Sequence, residues 1–234
     1  EFKVKNIIIS DLKSFEKAKL KIKNSKIKIF NRFDIFKKVF KKKNDFIMCS
    51  ITGLDGLQPT LESIKHTKNI LIANKESIIC GWELIKKELI RYKTNFIPVD
   101  SEHFSIWSLL ENNKTSDIDK IYITASGGPF LKLPKSKFKK IAIKKALKHP
   151  NWKMGKKISI DSATLMNKLF EVIEAKNIFN IDYKKIFVLV HPDSYIHAII
   201  KFKNGLTKIL IHDTSMKIPI FNAIYFDNKN KKIY

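Results

Sequence analysis

The chain has 234 residues, 44% hydrophobic and 29% charged, which excludes a disordered polymer and suffices for one large domain or two small ones. It carries 46 Lys plus Arg against 22 Asp plus Glu, but the only arginines are Arg32 and Arg91, and the lysines are dispersed as an A+T-rich coding sequence would scatter them. A solvated basic surface is therefore expected rather than a nucleic-acid groove of Arg forks and stacked aromatics; no apolar run nears the roughly 18 residues that cross a bilayer and no signal-peptide core follows Glu1, so the expectation is a cytoplasmic protein without membrane or nucleic-acid partner.

In chain order, Lys5 to Ser10 reads as a strand and Leu12 to Lys23 as a helix with Asp11 as its N-cap. Ile27 to Phe30 reads as a strand and Phe33 to Lys42 as a helix. "DFIMCSITG" is a buried strand closing in a glycine turn, and "LQPTLESIKHT" has helical spacing. "NILIANKESI" is a second buried strand ending in polar Asn74-Lys75-Glu76, before a helix from Ser77 to Lys87. "FIPVD" is the next strand. Cys49 and Cys80 sit in apolar surroundings and read as reduced, buried thiols. Strands alternating with helices imply a mostly parallel sheet.

Beyond Ser101 the pattern changes. A helix is expected from His103 to Asn112 and a strand at "IYITA". "SGGPF" opens a long basic segment to "KHPNWKMGKK". A strand "ISID", a helix from Ala163 to Asn177, the strand "IFVLVH" and a hairpin turning at Asn204-Gly205 follow. "MKIPIFNAIYFDNKNKKIY" fades into a basic tail. The fold class is α/β: two lobes meeting near Asp100, with no internal repeat.

Asp100 and Glu102 end an apolar strand, and residues two apart on an extended segment share a face. Asn167, Lys168 and Glu171 share a helix face by their offsets, which also describes an ordinary salt-bridged surface. Three carboxylates held close repel one another without a cation, so this hard-oxygen set suits Mg²⁺ or Mn²⁺. Ser162, read at the N-terminal end of the long helix, offers a hydroxyl and peptide N–H groups to an anion. Ser126 with its two glycines reads either as a plain turn or as a phosphate contact. His149, Trp152 and Met154 read either as a lid or as a core-tethered loop.

Taken in order, "LIANKES", "PVDSEH", "ASGGPF", "HPNWKMGKKISIDSATLMNK..E" and "HPDSYIHAII" closely resemble the 1-deoxy-D-xylulose 5-phosphate reductoisomerase family of the non-mevalonate isoprenoid pathway, over roughly Asp45 to Phe226. The resemblance implies an NADPH- and divalent-metal-dependent enzyme acting on a sugar phosphate. It implies a partial Rossmann-like parallel-sheet cofactor domain over 1–99, an α/β catalytic domain over 100–226 with a lid loop at 126–156, and a polar tail over 227–234. It assigns the metal to Asp100, Glu102 and Glu171. It assigns the substrate to Lys75, Ser101, Glu102, Ser126, His149, Ser162, Asn167, Lys168 and Glu171. Asn74, Glu76 and Gly155 resemble cofactor contacts and Trp152 and Met154 a lid. His103, His197 and Met216 take secondary roles, and the full-length protein is expected to be a homodimer.

Two departures from the family pattern carry expectations. No glycine precedes Gly53, so the family's glycine-rich pyrophosphate loop is not in this chain, nor is its C-terminal helical domain; the chain as given is expected to bind NADPH weakly or not at all. Leu169 stands where the family has Gly, and a shift of helix packing near Glu171 is expected. The alternative reading is an inactive or truncated paralogue that binds only sugar phosphate or a protein partner.

Overall fold

The computed structural model describes residues 3–22, 26–111, 113–152, 155–226 and 231–233. β1 (Asn6–Ile8), α1 (Leu12–Lys21) and β2 (Lys28–Phe30) form a parallel two-stranded unit. Asp11 caps α1 by accepting the Ser14 N–H at 2.8 Å, as its position before the apolar spacing predicts. The helix expected over Phe33–Lys42 is shorter: a 3₁₀ turn at Phe33–Ile35 runs into α2 (Phe36–Val39), and Phe40 is extended. Phe36 and Phe40 pack edge-on to each other and both reach His66, so aromatic packing ends the helix where the lysines have nothing to bury.

β3 (Asn44–Cys49), α3 (Leu57–Ile64), β4 (Thr67–Ile72), α4 (Lys75–Tyr92) and β5 (Asn95–Pro98) make a second, wholly parallel sheet in the order β3-β4-β5. Central β4 buries Ile70, Leu71 and Ile72. Both crossover helices pack on this sheet through Ile64, Ile78 and Ile85. α4 starts two residues earlier than expected because Asn74 caps it, accepting the Ser77 N–H. Of the two thiols, Cys49 is buried and Cys80 is exposed, so the expectation of two buried thiols fails for Cys80, which looks outward from α4; both are unpaired.

α5 (Ser101–Leu109) and β6 (Ile118–Ala125) lead into the third sheet. The basic segment after β6 holds a 3₁₀ turn at Lys135–Lys140 and the short α6 (Ile143–Ala146). Then come α7 (Lys156–Ala163), α8 (Met166–Phe179), β7 (Ile186–Val190), β8 (Ile196–Phe202), β9 (Thr207–Ile211) and α9 (Lys217–Ile224). The sheet order is β7-β6-β8-β9, parallel between β6 and β7 and antiparallel elsewhere, with the predicted hairpin joining β8 and β9. Its core is mostly isoleucine, with Ile106, Ile121, Ile123 and Ile200 fully buried. Phe104 of α5 and Ala223 of α9 pack with Leu71, Ile97 and Val99, which ties α5 and α9 to the parallel sheet. The α/β expectation holds: a parallel, Rossmann-like part followed by a mixed-sheet α/β part.

Three local expectations are corrected. "ISID" is not a strand but the body of α7, because Gly155 starts a helix there. Ser159 returns both its N–H and its hydroxyl to the Gly155 carbonyl, and Lys157 pairs with Asp161 one turn on, at 2.7 Å. Ser162 therefore lies in the last turn of α7 and not at the N-terminus of the long helix; left-handed Leu165 (φ 60°) separates the two. Finally, Glu102 is not on an extended segment, since Asp100 is the N-cap of α5 and Glu102 is in its first turn. α9 is an element the fading terminal pattern did not signal.

Candidate active site

One cleft of about 210 Å³ opens where the C-terminal ends of β4, β5 and β6 face α7 and α8, the usual ligand position in an α/β sheet. Among its lining residues are Lys75, Asp100, Ser101, Glu102, Ser126, His149, Trp152, Ser162, Asn167, Lys168, Glu171, His197 and Met216. Asn74, Glu76, Gly155 and His103 lie outside that lining, and Met154 lies outside the described residues.

The two acids at the start of α5 and Glu171 on α8 converge as expected, although by a different geometry. One carboxylate oxygen from each lies within 4.8 Å of the others. The helix turn lets Glu102 swing back beside Asp100, where the sequence reading relied on strand alternation. A second set, Asp100 with His103 and Glu174, meets the same spacing. His103 is fully buried and its Nε2 lies 2.9 Å from the Glu171 carbonyl, which can only accept; Nε2 therefore carries the proton. Its Nδ1 then faces Asp100 Oδ2 and Glu174 Oε2, each at 4.0 Å, with no hydrogen bond of its own.

Two lysines are set among these acids. Lys75 donates to Asp100, to Asn167 Oδ1 at 3.0 Å and to Glu171 Oε1 at 3.3 Å. Lys168 donates to Glu102 Oε1 at 2.8 Å and pairs with Glu171 Oε2. Asn167 also donates to Glu171. Burial alone would lower both ammonium groups, but the surrounding carboxylates outweigh it and raise both. Asp100 is likewise opposed by burial yet held well below its ordinary range by Lys75, His103 and Lys168. Glu171 is pushed up by burial and by neighbouring Glu102, and burial pushes Glu174 up to about 7. With all four carboxylates ionised, the cluster exceeds its two ammonium groups by two negative charges, which one divalent cation would balance. The donor set is hard oxygen throughout, so these residues fit Mg²⁺.

At the other end of the cleft the groups are neutral. The peptide N–H groups of Asn151 and Trp152 both donate to His149 Nδ1, at 3.2 and 3.0 Å, so the ring proton sits on Nε2. That Nε2–H donates to Ser126 Oγ at 3.0 Å, and the Gly128 N–H donates to the same oxygen at 3.1 Å. With both lone pairs engaged, the Ser126 hydroxyl proton is left to donate into the cleft. Burial lowers His149, which keeps the ring neutral. Gly128 has φ +69°, and a Cβ there would come within 2.8 Å of the Ser162 carbonyl oxygen. The glycine is thus what brings the β6 end against α7. Trp152 meets His197 edge-on at 6.0 Å, and His197 stacks on His212 at 3.6 Å.

A family model described as 1-deoxy-D-xylulose 5-phosphate reductoisomerase matches residues 1–81, and one described as the C-terminal domain of that enzyme matches residues 96–179. The chain belongs to the 1-deoxy-D-xylulose 5-phosphate reductoisomerase family. It is 63% identical over 234 residues to the reductoisomerase of Pelagibacter ubique (strain HTCC1062), covering 99% of this chain and 60% of that protein. The reductoisomerase of Clostridium tetani (strain Massachusetts / E88) is 42% identical, with 100% and 62% covered. The chain spans about three fifths of the length of these curated relatives. Among solved structures, the Zymomonas mobilis reductoisomerase in complex with NADPH superposes with a TM-score of 0.85 at 32% identity, over 97% of this chain and 59% of that one. A reductoisomerase in complex with NADPH, fosmidomycin and magnesium gives a TM-score of 0.87 at 30% identity, over 97% and 58%. A hyperthermophilic archaeal homoserine dehydrogenase in complex with NADPH, at 12% identity and a TM-score of 0.57, shares the fold alone.

Sequence reading missed several residues in and behind the cleft of this reductoisomerase-family chain. Glu174, buried behind the cleft lining with Asp100 and His103, was recoverable: it lies three residues after Glu171, so helix spacing puts both on one face. Ser194 lies in the quoted "HPDS" stretch and lines the cleft, its Oγ accepting from Asn151 at 2.9 Å. Leu165 enters the lining through its left-handed backbone, for which the sequence holds no signal. Leu169 is 52% exposed on α8, while Lys168 and Glu171 beside it are buried.

Proposed function

We propose that the full-length protein containing this chain carries out the NADPH- and divalent-metal-dependent isomerisation and reduction of 1-deoxy-D-xylulose 5-phosphate to 2-C-methyl-D-erythritol 4-phosphate. The observation that carries this reading is the single cleft with a carboxylate-lysine cluster at one end and a neutral hydroxyl-imidazole pocket at the other, in a chain of this family. Asp100, Glu102 and Glu171 are the proposed metal ligands, with Mg²⁺ or Mn²⁺ as the ion. Held there, the ion would polarise carbonyl and hydroxyl oxygens of the sugar and stabilise negative charge developing on them. NADPH supplies the hydride.

The chain's own residues supply the rest. Ser126, with its hydroxyl free to donate, Ser162 and His149 form a neutral pocket for the phosphate, and anchoring a group remote from the reacting carbons orients those carbons. Asn167 and Lys168 face the acids in this structure, so their part in the phosphate site begins once a cation takes over the carboxylates. Lys75 and Ser101 stand beside Asp100 and are the proposed contacts to the sugar oxygens. Trp152, braced by His197, closes the cleft against water. Met216 also lines the cleft. Asn74, Glu76 and Gly155 are the proposed cofactor contacts. Residues 1–99 are proposed as the remaining part of the NADPH-binding domain, 100–226 as the catalytic domain and 227–234 as a polar tail. A cytoplasmic homodimer is the proposed state. No helix among the described residues is long and apolar enough to cross a membrane.

The test is NADPH oxidation by the full-length protein. Turnover should require both 1-deoxy-D-xylulose 5-phosphate and Mg²⁺ or Mn²⁺, and should stop with a chelator. Absence of substrate-dependent oxidation with either metal would reject the reading.

A further inference from the structure

Lys157 stands in the first turn of α7, the end of a helix where a positive charge is disfavoured. Three partners offset that placement. Its Nζ lies 2.8 Å from Glu76 Oε1 and 2.7 Å from Asp161 Oδ2, and 5.3 Å from the Phe170 ring centroid. Glu76 is in the first turn of α4. Burial would raise its carboxyl, but Lys157 and the peptide N–H groups of Glu76 and Gly53 outweigh that and lower it, so the carboxylate is charged. One ammonium thus joins α4, α7 and α8, and Glu76 links them in turn to the Gly53 loop. Two residues before it, Gly155 caps α7 with extended backbone, and among the described residues a Cβ there would meet nothing within 4 Å. Gly155 and Glu76 are 79 positions apart in sequence, yet this one ion pair draws their two helix starts together.

We propose that Lys157 is a positioning residue that clasps the start of α7 onto the start of α4, so that Glu76 and Gly155 form the two walls of one dinucleotide-binding edge. This rests on the reading above that Glu76 and Gly155 contact NADPH. Lys157 itself need not touch the cofactor, since its ammonium is committed to the two carboxylates.

The experiment measures the NADPH dissociation constant by fluorescence titration of the full-length protein, alongside thermal melting and steady-state kinetics. Lys157→Met should weaken NADPH binding by about fivefold, the size of one partly exposed ion pair. kcat should stay within about twofold and the melting temperature should be unchanged. Lys157→Arg, whose fork can still reach both acids, should restore the affinity. Equal NADPH affinity of wild type and Lys157→Met would overturn the clasp, as would a loss of affinity accompanied by a lower melting temperature that Lys157→Arg does not rescue. A wild-type protein that binds no NADPH would instead reject the cofactor reading on which the clasp rests.

Discussion

Glu171 has the most demanding position of any side chain in the cleft. It is buried, its ionised form is disfavoured by burial and by Glu102, and two ammonium groups and an amide hold it in place. Glu171→Gln keeps the shape and removes the charge. In the full-length protein it should cut metal-dependent turnover by at least about a hundredfold and weaken Mg²⁺ binding in calorimetry. An unchanged rate would reject Glu171 as a ligand. His197 gives a separate test through stability. Burial, then the facing His212, lowers it from 6.5 to about 4. The unfolded chain therefore takes up the proton first. The stability His197 contributes is complete above pH 6.5 and is lost as pH falls towards 4. Wild type should lose about 1–2 kcal/mol more than His197→Gln between pH 7 and 5 in urea unfolding. Parallel losses would show that His197 is not buried neutral. Most of these residues were legible in the sequence because their chemistry is unusual where they stand, such as acids ending an apolar strand. Lys75 and Lys168 were named as substrate contacts on the family resemblance, not as partners of the acids. Apart from the Lys168–Glu171 pair within one helix turn, that role depends on contacts 25 to 96 residues apart in the chain.

Among the elements, the connection from β6 to α7 is where backbone geometry decides the site. Gly128→Ala places a Cβ in left-handed backbone and within 2.8 Å of the Ser162 carbonyl oxygen. It should cost about 1–3 kcal/mol in unfolding experiments and raise the KM for the sugar phosphate by about tenfold, more than it lowers kcat. Normal stability together with an unchanged KM would mean that β6 and α7 do not need to meet so closely. This region also explains the errors in reading α7. Ile158 and Ile160 alternate with Ser159 and Asp161 as a strand would, and a window of four residues satisfies both periods. What selects the helix is the Gly155 start and the Lys157–Asp161 pair, neither visible from apolar spacing. β4 and β5 were easily read for the opposite reason. A strand buried on both faces is an uninterrupted apolar run, and nothing else of that length ends so abruptly in polar residues.

For the whole molecule, the third sheet ends in β7, an edge strand on which Phe187, Val188, Leu189 and Val190 are all at least 38% exposed. Across the sheet, Ile209 and Ile211 of β9 are also exposed. Apolar edges of this kind are covered in stable proteins or else aggregate. The proposed homodimer would cover them. Light scattering on the full-length protein should give a dimer, and Val188→Lys with Val190→Lys should give a monomer. A dimer that survives both changes would place the interface elsewhere. No periodicity in "IFVLVH" distinguishes an exposed edge from a buried centre, which is why the sequence gives the strand but not its surroundings.

The lysines within the acid cluster make metal uptake an exchange and not a filling. Lys75 and Lys168 act as resident counter-ions that offset part of the carboxylate charge when no metal is bound. An arriving cation must compete with two ammonium groups that are already well placed. Its apparent affinity is therefore the difference between two favourable arrangements. In the proposed site, lysines displaced from the carboxylates would become donors for an incoming anion.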